Sequence, residues 1–209
     1  MLKQMFISAT IMITFISLIL FIFLPNEEGI LSIQKYSSVN VMNTFKDENY
    51  YYFLENMEID EIINSGIHSL RTLDDFILPM DQSREMKNIS FAYIQTPELI
   101  VNKQAKKTYF KFGRRIHAAE AKEALMDQYL SFGVRFNENN GMLHEIIFLQ
   151  NNKAVKPAYK EIKGSGGLII VSFKTNDIDF NEEAQIKIID QTESSEKAVF
   201  YIDFSLYSP

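Results

Sequence analysis

Few residues in this chain are of the types that carry chemistry. It has three histidines, no cysteine and no tryptophan. His68, His117 and His144 are scattered, and no two share the spacing of a metal-ligand pair. There is no thiol nucleophile, no G-x-S-x-G turn and no phosphate-binding glycine loop. No catalytic, cofactor or metal site is therefore expected, and the histidines read as surface or packing residues. Asp177, Asp179, Asn181 and Glu183 place oxygen side chains at alternate positions, the spacing of a calcium loop. The glycine such a loop needs at its sixth position is missing, and Ile178 and Phe180 suit a packed turn between two strands.

Lys103, Lys106, Lys107, Lys111, Arg114 and Arg115 form a basic stretch, with no acid between Glu98 and Glu120. Such a stretch could meet anionic glycans, lipid headgroups or an acidic partner. Residues 106–112 also alternate, with Thr108, Phe110 and Phe112 opposite Lys107, Tyr109 and Lys111. That pattern favours a strand with solvated lysines and inward phenylalanines. Tyr50, Tyr51, Tyr52 and Phe53 could form an interfacial aromatic belt; contact with the rest of the chain or a neighbouring subunit is preferred. Asn88, Ile89 and Ser90 make one glycosylation sequon, a match that chance alone supplies in an asparagine-rich chain.

The elements that would position these groups fall into two kinds. Residues 45–78 carry Leu54, Met57, Ile62, Ile63, Ile67, Leu70, Leu73 and Ile77 near helical spacing, which predicts one amphipathic helix stopped by Pro79. Such a stripe must bury itself. The preferred cover is the chain's own β half, with a different, more basic subunit next, because bundling identical acidic helices brings like charges together. Beyond Met80 short strands are expected over 91–94, 106–112, 132–136, 143–149 and 168–174, and around 184–188 and 200–206. The helix-forming composition of 117–130 predicts one helix. Short strands at this spacing point to an antiparallel sandwich. The fold class expected is α+β: an apolar N-terminal helix, an amphipathic helix, then a β-sandwich head from 81 to 209.

Residues 5–24 hold no charge, proline or glycine. Twenty helical residues rise about 30 Å, the thickness of a bilayer's hydrocarbon core. The run is too long for a signal peptide and lacks a small-x-small cleavage site. A permanent single-pass anchor is expected at 1–24, with a helical stalk over 25–80. Lys3 precedes the run and Glu27 and Glu28 follow it, so the bulk of the chain is expected to be extracytoplasmic. Partners are then the bilayer and, through the exposed part, a membrane or envelope protein. A net charge of −6 excludes a basic nucleic-acid module. The acidity is local: residues 30–80 hold eight acids against three bases, whereas 81–209 is balanced.

Phe53, Leu54, Glu55, Asn56, Met57, Glu58, Ile59 and Asp60, followed by Ser65, Gly66, Ile67, His68, Ser69 and Leu70, resemble the acidic stretch and Gly-x-x-small-Leu step of archaeal pilin-like surface proteins. The resemblance implies an apolar N-terminal helix, an amphipathic extension and a β-rich extracellular head. The chain has no basic peptidase site before the apolar run and no glutamate five residues into it. What is implied is an anchored surface protein with a structural or interaction role, not an obligate filament subunit. A ligand-binding or sensor accessory module is the alternative.

Overall fold

A computed structural model describes residues 45–68, 73–81, 88–193 and 195–208. The apolar run at 5–24 lies outside them. Among the described residues no helix is long and apolar enough to cross a membrane.

The fold is α+β with two antiparallel sheets of four strands. Helix α1 (Asn56–His68) leads to β1 (Ile89–Gln95), α2 (Pro97–Phe112) and the single turn α3 (Ala118–Lys122). Seven strands follow: β2 (Tyr129–Phe136), β3 (His144–Gln150), β4 (Lys153–Val155), β5 (Tyr159–Lys163), β6 (Leu168–Lys174), β7 (Ala184–Asp190) and β8 (Ser195–Ile202). One sheet has the order β1-β2-β6-β5 and the other β4-β3-β7-β8. The strands expected over 132–136 and 143–149 do not pair: the chain after β2 crosses from one sheet to the other before β3.

The sandwich-like arrangement is held by rings. Phe148 of one sheet meets Phe132 and Phe173 of the other at 5.6 and 5.0 Å between centroids. Ile146, Ile186 and Ile188 are buried in the same core as Val134, Ile169 and Val171. Alternation along each strand sends these side chains inward. The segment 77–81 bridges the two sheets along one side. The Leu78 amide donates to Ala92 O of β1, at 2.9 Å, while the Asp81 amide donates to Val199 O of β8, at 3.0 Å. Backbone groups of both edge strands are thereby paired.

Three expectations are corrected. Residues 45–78 are not one helix: 45–55 make turns and irregular chain, and among the described residues of this span helix is found as α1 and a short 3-10 turn at Leu73–Phe76. Ile59 and Ile63 are fully buried, whereas Met57 is exposed. Gly66 brings α1 against the backbone of Asn102 in α2, so closely that a Cβ would lie 2.9 Å from the Asn102 carbonyl oxygen. Residues 106–112 are helix, not strand. The Thr96 hydroxyl caps α2 by accepting from the Leu99 amide, Pro97 fits its first turn, and Gly113 closes it at φ 65°. Finally, the helix expected over 117–130 is only α3, because the chain turns at Glu123 and Ala124 and enters β2 at Tyr129.

Candidate interaction surfaces

The strap of turns before α1 is fixed to the sheets by aromatic side chains. Tyr51 stacks on Phe180 at 5.1 Å and 7° between planes, and Phe45 stacks on Phe53 at 5.1 Å. The Tyr52 hydroxyl donates to Phe204 O at 3.0 Å. Burial pushes the Tyr50 and Tyr52 phenols far above their ordinary range. These tyrosines pack on their own domain and are not laid out as an exposed belt.

The loop 177–183 is a closed turn. The Gln150 side chain donates to Asp179 O at 2.7 Å and Glu182 O at 3.0 Å, and accepts from the Asp179 amide at 2.8 Å. Asp179 is itself occupied by the backbone and side-chain amides of Asn181. Ile178 is buried and Phe180 joins the aromatic cluster. No group of three or more metal-ligating acids or histidines comes together among the described residues.

The histidines do not converge. His68 ends α1 and His117 precedes α3, both exposed. His144 is buried beside Phe136, with Nδ1 3.1 Å from Asn140 O and Nε2 4.0 Å from an Asp190 carboxylate oxygen. Thr192 hydroxyl and amide bonds hold the Asp190 carboxyl below its usual range, with smaller help from the Glu193 amide and His144. This is a packed corner between β3 and β7. Asn88 and Ser90 lie at the start of β1, where the Ser90 hydroxyl bonds the Asn137 side chain.

Two surfaces among the described residues offer the exposed charged and apolar groups a partner could meet. The first is a polar groove of about 610 Å³ lined by Lys46, Asp47, Asp127, Gln128, Lys174 and Asn176, among others. One carboxylate oxygen of Asp127 accepts the amides of Lys46 and Asp47 at 2.9 and 3.0 Å. This groove brings together residues that sequence spacing did not connect.

The second is the end of α2. Every residue from 109 to 115 is exposed, and the chain re-enters the core only at Ile116. Phe110 is 74% exposed and Phe112 63%, the reverse of the inward placement expected of a strand. At helical spacing Lys103, Lys106, Lys107, Phe110 and Lys111 share one side. Arg114 is held by both oxygens of Glu120, at 2.8 and 2.9 Å, and Arg115 by Asp60 at 2.8 Å. The Lys103 ammonium lies 4.6 Å from the Tyr93 ring centroid, and partial burial lowers its pKa. The basic stretch is therefore a helical side and tip, not a strand face.

Comparisons with protein families, with curated proteins and with solved structures found no match.

Proposed function

We propose that the chain is a single-pass membrane-anchored extracytoplasmic protein with a structural or interaction role. The uncharged run at 5–24 supports the anchor, and its length suits a bilayer. The observation that carries the interaction role is the tip of α2. Two phenylalanines and a tyrosine stand in solvent beside lysines, whereas every other phenylalanine among the described residues is buried or half-buried. The sequence resemblance to pilin-like surface proteins points the same way.

The chain's lack of cysteine supplies the test. A single cysteine in place of exposed Leu206 is expected to react, in intact cells or protoplasts, with a membrane-impermeant maleimide. Labelling only after lysis overturns the extracytoplasmic placement. Recovery of the chain in the soluble fraction after gentle lysis overturns the anchor.

A ligand-binding role is the second reading, favoured by the groove at Asp127. Its lining of Lys46, Asp47, Asp127, Gln128 and Lys174 offers charged and hydrogen-bonding groups to a hydrophilic ligand.

A further inference from the structure

Helix α2 leaves the body of the domain with its last turn uncovered on all sides. Lys106, Lys107 and Lys111 line one side of that turn, and none of the three has a carboxylate partner among the described residues. Phe110 projects on the lysine side and Phe112, two residues on, toward the other side of the tip, with the Lys111 ammonium 5.2 Å from the Phe112 ring centroid. The two arginines that could grip a carboxylate with a planar fork are already engaged by Glu120 and Asp60. What remains free is a set of flexible point charges around apolar rings.

We propose that this tip is a membrane contact additional to the N-terminal run: Phe110 and Phe112 enter the headgroup–acyl boundary of an anionic bilayer while Lys106, Lys107 and Lys111 hold its phosphate groups. Long lysine stems let the charge stay at headgroup level while the rings go deeper. Each lysine within a Debye length of an anionic surface strengthens attraction about five-fold. Charge complementarity makes the contact directional. The whole chain is net negative and would be repelled by such a surface, whereas residues 99–119 contain six bases and no acid. Lysine binds phosphate as a point charge without a bidentate fork, which suits headgroups met by charge and not by shape.

The chain has no tryptophan, so Phe110→Trp introduces a unique reporter at an exposed position that the fold does not depend on. The full-length variant is reconstituted in phosphatidylcholine vesicles with and without phosphatidylglycerol, some carrying brominated acyl chains. Leu206→Trp serves as the comparison. Emission at position 110 is expected to shift to the blue and to be quenched several-fold more in the phosphatidylglycerol vesicles than at position 206. High salt, or Lys106→Glu with Lys107→Glu, should remove that excess. Equal quenching at the two positions, or quenching indifferent to phosphatidylglycerol, overturns the proposal and leaves the tip for a protein partner. A blue shift in lipid-free detergent that grows with protein concentration also overturns it, assigning the tip to a second copy. Flotation of the same vesicles reports the N-terminal anchor independently of the tip.

Discussion

The ring of Tyr93 lies over Gly133, its partner across the β1–β2 ladder. A Cβ at Gly133 would overlap the ring carbons. The ring cannot simply swing aside. It is buried, its hydroxyl accepts from the Gln95 side chain at 3.1 Å, and Lys103 of α2 covers it. One glycine thus lets a tyrosine join the sheet to the helix that carries the exposed tip.

Gly133→Ala is expected to destabilise the protein by about 1–3 kcal/mol, as overpacking does elsewhere. The gain from a less flexible unfolded chain is smaller and opposes it. In a Tyr93→Ala background the same change should cost much less, since the overlapping ring is gone. Denaturant midpoints for the four proteins of this cycle measure the coupling. Equal costs in both backgrounds would place the strain elsewhere.

The C-terminal alternation gives a second contrast. Phe200, Ile202 and Phe204 are buried, but Leu206 is 67% exposed. Strand β8 ends at Ile202, and the Asp203 carboxylate accepts from the Ser205 amide at 3.0 Å to start a 3-10 turn. Ile202→Ala should cost about 2–5 kcal/mol. Leu206→Ala should stay within about 0.5 kcal/mol of the parent. A neutral Ile202→Ala in thermal unfolding would deny that β8 lines the core.

That same end of β8 shows how far sequence pattern reaches. Where one face is buried the pattern located the strands: 168–174 by a nearly continuous apolar run, and 184–188 by the alternation of Ala184, Ile186 and Ile188. It failed at the tip of α2, where no side is buried and the lysine–aromatic alternation records no face at all. The Thr96, Pro97 and Gly113 signals that bound this helix were local and readable. Strand β5 carried no apolar rhythm because all five of its residues are exposed. The two-residue turn at Asn151 and Asn152, with φ of 50° and 60°, had a local signal in the asparagines that the strand pattern alone did not pick out. The groove at Asp127 was not legible, since its lining comes from residues about 80 positions apart.

Acid should weaken the β3–β7 corner. Thr192 holds the folded-state pKa of Asp190 below its unfolded value. A depressed carboxyl contributes stability that is present above the unfolded pKa and lost as pH falls through the folded pKa. Thermal midpoints of the parent are therefore expected to fall as pH drops below the ordinary aspartate range. Asp190→Asn should reduce that slope while lowering stability at neutral pH. An unchanged slope would assign the acid sensitivity to other carboxylates.

Asp127 offers the most local test of the polar groove. Its carboxylate accepts the amides of Lys46 and Asp47, while the Thr175 hydroxyl donates to its carbonyl at 2.8 Å. It therefore joins the first turn described to the end of β6 across the groove floor, in the manner of a helix N-cap. Asp127→Ala removes both acceptor contacts but leaves the Thr175 bond, which uses the backbone. The expected cost is about 0.5–2 kcal/mol, by analogy with loss of a cap. Because the contact is exposed, its loss should open the turn locally without unfolding the sheets. Hydrogen exchange should accelerate at the amides of Lys46 and Asp47 and remain unchanged at Val171 and Ile186. Asp127→Asn, which keeps one carbonyl acceptor, should restore part of the protection. If Asp127→Ala leaves exchange at Lys46 and Asp47 unaltered, the turn is held by the Phe45 and Tyr50 rings instead, and the groove is shaped by packing and not by this carboxylate.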